Sequence, residues 1–491
     1  MTSERIRSER LAKLAALRAA GVEPYWNDCP PTGDIESVRA LCPPLPEAGA
    51  PAPEAGPVVT VAGRVVAIRD MGKSRWLDLR DRSGKIQVNL LHKRLGENGF
   101  AAAGALDIGD IVGATGDLLR SRVGEITVFA TELRFLSKAL EPLPAKWSGL
   151  RDVEIRYRRR YLDLIANEES RERFILRSRL VSFIRRWLDA RGFLEVETPM
   201  LQPIYGGAAA RPFVTRHHSL GLDLYLRISP ETYLKRLLVG GLDRVYEINR
   251  NFRNEGIDTT HNPEFTMMEV YQAYTDYLGM MDLLESLVDD AARELLGRTT
   301  VNFDGKAIAL AKPWPRRSMR DLVREMAGVD PDDPDALADC CRRLGVPPEK
   351  LAGLDHDRLL MAVMDGAVEP RLEQPTFVTH HPASLNPLCR RNRADPRFAD
   401  RFEAMAAGFE LANAFSELND PLEQRERFQA QVDRGGEESH GNVVDEDYVS
   451  ALEVGLPPAG GIGVGIDRLV MLLTDSASIR DVILFPTLRP E

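Results

Sequence analysis

With 491 residues, 44% of them hydrophobic and 28% charged, the chain is long enough for two or more domains around a sizeable core. Its formal net charge of −10 excludes a uniformly basic nucleic-acid binder but leaves room for a basic stripe on one domain. There is no apolar run long enough to span a membrane and no apolar signal core at the N-terminus, and five scattered cysteines without CxxC spacing point to a reducing, cytoplasmic setting and away from structural zinc.

The first element is a charged helix over about residues 3–20, ending at Gly21, with Arg5, Arg7, Arg10, Lys13 and Arg18 set against Glu4 and Glu9. It reads as a solvated helix, a nucleic-acid backbone contact being the sharper alternative. Residues 43–57 are rich in Pro, Ala and Gly and read as a linker, so 1–57 forms an N-terminal extension. From Val58 to about 140 the pattern turns to short alternating strands separated by Met71-Gly72-Lys73 and Ser83-Gly84, which suggests a small OB barrel. Such barrels bind single strands by stacking bases beside a basic groove. Trp76, Arg69, Arg64 and Gln87 are the candidate readers; Trp76 could equally be core. Residues 141–150 link this domain to a second one spanning 151–491.

That second domain opens on the basic cluster Arg156, Arg158, Arg159 and Arg160, either a solvated helix start or a phosphate contact. Residues 171–190 have helical period, Gly192 stops the helix, and FLEVETPML continues as a strand. Gly206-Gly207 frees the backbone to approach a ligand, and Glu231 follows Ser229-Pro230 at a helix start, where a carboxylate complements the dipole. The stretch Phe252–Tyr271 then concentrates chemistry. FRNEG supplies Arg253 for a planar phosphate contact, HNPEF follows, and the alternating run puts Phe265, Met267, Glu269 and Tyr271 on one face. A helical region with one hairpin occupies about 278–372. Residues 398–420 read as a hairpin turning near Ala407-Gly408, with Glu403 and Glu410 as cross-strand neighbours that need either salt bridges to Arg401 or another arginine, or a hard cation. Asn413, Phe415 and Glu417 share a face; Glu410 has the other parity, so the strand must bulge or twist between 410 and 413 to bring it to the same cavity. Finally, a glycine-rich strand (Gly460, Gly461, Gly463, Gly465) runs into a helix with Arg468 in its first turn, where an N-terminus and an arginine both favour phosphate; alternatively Arg468 simply pairs with Asp467.

FRNEG, HNPEF and TMMEVY together resemble motif 2 of the class II aminoacyl-tRNA synthetases, in wording closest to the lysine enzymes. The helix–strand pair at 171–200 resembles motif 1, the glycine-rich strand and helix resemble motif 3, and residues 58–140 are similar to the anticodon-binding domain of the lysine, aspartate and asparagine members. The resemblance covers about residues 58–491. It implies an α+β fold: an N-terminal OB-fold barrel, then an antiparallel sheet flanked by helices. It also implies a homodimer, since motif 1 is the family's dimer interface.

The residue roles it implies are these. A carbonyl near Gly207 and the carboxylate of Glu231 take the α-amino group of lysine, and Tyr271 and Glu417 take the ε-ammonium with Glu269 nearby. Asn413 and Phe415 complete the lysine site. Arg253 holds the substrate carboxylate and the α-phosphate, while His261 and Arg468 steady the distal phosphates. Phe265 stacks on adenine, Glu255 reads its edge, and Asn262 and Glu410 complete the ATP site. Glu403 and Glu410 carry Mg²⁺. In the barrel Arg69, Trp76, Gln87 and Glu125 contact the anticodon, although Arg122-Val123-Gly124 departs from the family's usual turn. The expected activity is ATP-dependent activation of L-lysine and its transfer to tRNA(Lys); the alternatives are a paralogue that lysylates a protein and an inactive RNA-binding relative.

Overall fold

A computed structural model describes residues 3–44, 55–144, 150–208, 210–351, 353–434 and 443–490. Most of the Pro-rich stretch and residues 145–149 of the linker lie outside them. The chain divides into two compact units, Met1–Leu150 and Arg151–Glu491.

In the first unit, helix α1 (Ser3–Ala19) precedes strands β1 (Val58–Asp70), β2 (Ser74–Arg80), β3 (Lys85–Leu91), β4 (Ile111–Arg120) and β5 (Ile126–Ser137). They close as β1-β2-β3-β5-β4, with β3 and β5 parallel and the other pairs antiparallel. Closure leaves no open edge. It follows from strict alternation: Leu77, Leu79, Ile86, Val88, Leu90 and Val128 point inward and are fully buried. Each such side chain contributes about 1.5–3 kcal/mol. Helix α1 is not the free solvated helix expected. Arg10 is buried, donating to the carbonyls of Ile108, Ala139 and Glu141; Lys13 pairs with Asp107 at 2.6 Å, and Leu17 enters the barrel core.

The second unit is built on an eight-stranded sheet. Its strands are β6 (Leu194–Glu195), β7 (Arg244–Phe252), β8 (Glu264–Ala273), β9 (Arg316–Ser318), β10 (Thr376–Thr379), β11 (Arg401–Ala406), β12 (Phe409–Ser416) and β13 (Ala459–Gly465), in the spatial order β9-β10-β11-β12-β13-β8-β7-β6. The six central strands are antiparallel, as expected; each outermost strand pairs parallel to its neighbour. The expected strand after Gly192 contributes only Leu194 and Glu195 to the sheet.

Period two sorts this sheet into two chemically different faces. Met268 and Val270 of β8, Ala412 and Ala414 of β12, and Ile462 and Val464 of β13 face a core closed by helices. Those helices are α2 (Glu168–Asp189), a later helix Tyr277–Leu296 and a last one Ile466–Leu473. Tyr277–Leu296 is capped by Asp276, which accepts from Leu278 N and Gly279 N. It ends at Gly297 with φ +67°, and lays Met280, Met281, Leu284, Leu287 and Val288 against the sheet. The helical region expected at 278–372 therefore divides: this helix belongs to the main core, whereas Met319, Leu322, Leu337, Leu360 and Val363 gather around a separate small one. The Arg156–Arg160 cluster is structural. Arg160 is fully buried and donates to the carbonyls of Arg480, Ile483 and Leu484, Arg156 bonds Asp163, and Arg158 donates to the Arg489 carbonyl. These three clamp the C-terminal segment, and only Arg159 of the cluster faces solvent.

Candidate active site

The other face of the sheet carries a cavity of about 360 Å³. Phe265, Met267, Glu269 and Tyr271 of β8, Asn413 and Phe415 of β12 and Gly461, Gly463 and Gly465 of β13 line it, all at the parity opposite to the core residues. Glu410 joins them through a bulge. Ala404 pairs with Ala412, but Met405 pairs with Glu410, so Leu411 is an extra residue. Leu411 turns into the helix-covered core and Glu410 into the cavity, the departure that parity demanded. Glu403 and Glu410 are consequently not directly opposed: Glu403 faces Asn413.

Fourteen of the fifteen site residues expected in this unit line the same cavity: Gly207, Glu231, Arg253, Glu255, His261, Asn262, Phe265, Glu269, Tyr271, Glu403, Glu410, Asn413, Phe415 and Arg468. Glu417 is absent from the lining, but its carboxylate comes up beside it: a Cβ on the cavity-facing Gly461 would collide with Glu417 Oε1 and with the Tyr271 ring, so the bare glycine backbone is what leaves room for both. Gly207 has φ +85°, and a Cβ there would meet Ser229 Oγ at 2.9 Å and Glu231 Cβ at 3.0 Å.

One end of the cavity is acidic and sealed. Glu231 opens helix α3 (Glu231–Val239); its backbone N–H donates to Ser229 Oγ, whose hydroxyl donates to Glu269 Oε1 at 2.7 Å. Tyr271 donates to Glu269 Oε2 at 3.0 Å. Burial and then the charge of Glu231 push Glu269 up to about 7, against the hydrogen bonds from Ser229 and Tyr271. Burial also raises Glu231 and carries Glu417 well above the carboxylate range, opposed in both by Lys235. Lys235, one turn after Glu231, is wholly buried. Its Nζ lies 2.5 Å from Glu231 Oε1 and in contact with Glu417 Oε2, while Glu417 Oε1 has no partner among the described residues.

The other end is open and basic. Arg468, in the first turn of Ile466–Leu473, donates to the Glu410 carbonyl at 2.8 Å and carboxylate at 3.2 Å, and lies 3.2 Å from His261 Nε2. An arginine can only donate, so Nε2 accepts and the ring proton sits on Nδ1, 2.9 Å from Asp258 Oδ2. Partial burial works to raise Asp258, but the Thr260 and His261 N–H groups and the ring bring it to about 2. Asp467 does not pair with Arg468: it accepts from Thr266 N and holds Arg177 at 2.6 Å. The Arg253 guanidinium stands 5.2 Å over the Phe265 ring, its Nε without a partner among the described residues. Asn262, though on the wall, directs its amide to Glu264 O and accepts from Thr487 N, so it shapes the loop.

Arg401 ties the two ends together, donating to Asn413 Oδ1 at 2.9 Å, Asn386 Oδ1 at 2.5 Å and Glu403 Oε1 at 2.5 Å. Among the described residues no three His, Cys, Asp or Glu gather closely enough to hold a metal ion unaided. Two carboxylates on the wall, Glu403 and Glu410, are nonetheless the donor set that Mg²⁺ takes from a protein when substrate phosphates and water complete its shell. The residues fit that ion.

Sequence reasoning offered Arg401 only as a counter-charge to the glutamate pair, which it is for Glu403, not as a link to Asn413 and Asn386, and it missed Lys235 altogether. The signal for Lys235 was present as an i,i+4 Glu–Lys pair, which on most helices marks a solvated face.

On the barrel, Arg69 pairs in register with Trp76, Asp78 with Gln87 and Gln87 with Thr127, so these residues share the outer face. Trp76 is half-buried, edge-on to Phe129 at 6.3 Å, and is not core. Arg69 donates to Asp78 at 3.0 Å, Gln87 Oε1 accepts from Thr127, and exposed Glu125 accepts from Arg39 at 3.3 Å. Arg64 instead donates to the Gly109 carbonyl.

The class II tRNA synthetase family (D, K and N) matches residues 152–489, and the OB-fold nucleic acid binding domain matches residues 59–136. The lysine–tRNA ligases of Carboxydothermus hydrogenoformans and Moorella thermoacetica are each 51% identical to the chain, over 98% of it and 97% of their own length. That of Xanthomonas oryzae pv. oryzae is 50% identical over 99% of the chain and 96% of its own. With sheet, cavity and barrel in agreement with these matches, the chain belongs to the lysine–tRNA ligase family of class II aminoacyl-tRNA synthetases.

Proposed function

We propose that the protein activates L-lysine with ATP and transfers it to tRNA(Lys). The observation that carries this reading is a single cavity with three buried carboxylates at one end and two arginines at the other. A molecule with ammonium groups meets a polyanion there. In the first step a lysine carboxylate oxygen attacks the α-phosphorus of ATP, the bond to the β-phosphate oxygen breaks, and pyrophosphate leaves with that electron pair. A 3′-terminal ribose hydroxyl of tRNA then attacks the carbonyl carbon and AMP departs. No protein nucleophile is needed, so positioning and fixed charge supply the rate.

Each side chain has a place in this scheme. Arg253 bridges the attacking carboxylate and the α-phosphate, and Phe265 stacks on adenine while Glu255 reads its edge. His261, proton-free at Nε2, fixes Arg468 on the distal phosphates. Glu231 and the Gly207 backbone take the α-ammonium; Tyr271, Glu269 and Glu417 answer the ε-ammonium; Asn413 and Phe415 wall the aliphatic chain. Glu403 and Glu410 would hold Mg²⁺, which offsets phosphate charge when bound. The outer barrel face with Arg69, Trp76, Gln87 and Glu125 suits single-stranded anticodon bases. Leu201 and Leu222 are apolar yet exposed on one face of a three-stranded sheet (Leu201–Gln202, Val214–His217, Leu222–Leu226), which supports a homodimer. Among the described residues no helix is long and apolar enough to cross a membrane, and we place the protein in the cytoplasm. Pyrophosphate exchange with each amino acid in turn tests the reading: lysine alone is expected to support it, and exchange with aspartate or with none would overturn it.

A further inference from the structure

We infer that Lys235 is a positioning residue that sets the charge of the amino-acid cavity. Its buried ammonium ties Glu231 and Glu417 to each other and opposes the protonation that burial favours, so that with its carboxylates ionised the cavity is two negative charges from neutrality. A substrate with two ammonium groups therefore fits and one with a single ammonium does not. The inference rests on the lysine-activating reading above and extends it to a residue outside the cavity wall.

The geometry is specific. Lys235 has no solvent exposure, and its Nζ bridges Glu231 Oε1 at 2.5 Å and Glu417 Oε2. Phe415 of β12 closes over it, with the ring centroid 5.2 Å from Nζ. Burial works against this ammonium, but Glu231 and Glu417 outweigh it and hold its pKa well above the ordinary lysine value. The other groups facing the cluster are accounted for. From β8 come Glu269 and Tyr271, bonded to each other; Tyr448 comes from the helix Glu446–Gly455. Arg227 is neutralised by Glu247 at 2.7 Å, and Arg401 by Glu403. Three carboxylates and one ammonium thus remain, and no other described cation pairs with them. Glu269, held at about 7, completes its ionisation as a positive substrate arrives. Without Lys235, three carboxylates would share one desolvated site, and at least one would take up a proton instead of a substrate ammonium.

The test is pyrophosphate exchange by the full-length parent and Lys235→Gln from pH 6.5 to 9, with lysine and with norleucine, which lacks the ε-ammonium. For K235Q, kcat/KM for lysine is expected to fall about thirtyfold at pH 6.5, with the gap to parent closing to about fivefold at pH 9 as the carboxylates reionise. The preference for lysine over norleucine should narrow about tenfold while the KM for ATP stays within about twofold. A loss that is equal at every pH, or equal for ATP and lysine, marks a purely structural residue and overturns the inference, as does no loss at all. If K235Q does not fold, Lys235→Arg decides: it keeps the charge, so lysine selectivity should survive, and its collapse in a folded K235R would overturn the inference. A parent that exchanges nothing with lysine is a separate failure, of the activation reading itself and hence of the inference built on it.

Discussion

The two ends of the cavity hold charge in opposite ways. At the amino-acid end Glu231, Glu269, Tyr271 and Glu417 are each at most 5% exposed, and they are satisfied largely by one another and by Lys235. At the phosphate end Arg468, Glu410 and His261 stay partly open to solvent and form a relay anchored on Asp258. Desolvated charges discriminate sharply because a wrong partner leaves one of them unpaired. Solvated charges hold a polyanion in place without much selection, which suits a substrate common to every amino acid the family activates.

Four variants break or sharpen this contrast. The largest effect is expected for Arg253→Ala, which removes the group joining both substrates: pyrophosphate exchange should drop by about 10³-fold. Glu417→Gln acts on the sealed end alone, costing about 3 kcal/mol in kcat/KM for lysine while the KM for ATP holds; equal rates for variant and parent would remove Glu417 from the lysine site. Glu269→Gln probes the strain of that end in the empty protein. The folded state raises this carboxyl from an ordinary 4.5 to about 7 and so binds its proton more tightly than the unfolded chain. Stability from this group is therefore full below about pH 4.5 and lost as pH rises through 7. Removing the charge should make the empty protein about 3 kcal/mol more stable than parent at pH 8 and no more stable at pH 4.5, as read by denaturant melts at the two pH values. The smallest effect belongs to the barrel: Trp76→Ala should weaken tRNA charging by about 2 kcal/mol while leaving tRNA-independent exchange untouched.

What could be read from the chain divides along the same physical line. Period two assigned Phe265, Glu269 and Tyr271 to one face, and a parity conflict at Glu410 announced the bulge that Leu411 makes. These are local rules acting on local residues. Burial of an ionised group is not local. Arg10, Arg160 and Lys235 look like solvated helix charges because their partners lie far along the chain or, for Glu231, one turn away in a pattern common on surfaces. The parallel edge strands, two and three residues long, are too short to leave any period at all.

The glycine strand has a consequence for the mutational freedom of the site. At Gly461 a single methyl would displace Glu417 and Tyr271, and at Gly463 it would strike Met267. Positions on β8 and β12 can trade one side chain for another and retune the cavity. These two on β13 can only lose the space that makes it a cavity. A search for variants that accept a shorter or longer amino acid thus has its latitude in the side chains of two strands, with the third as a fixed stop against which length is measured.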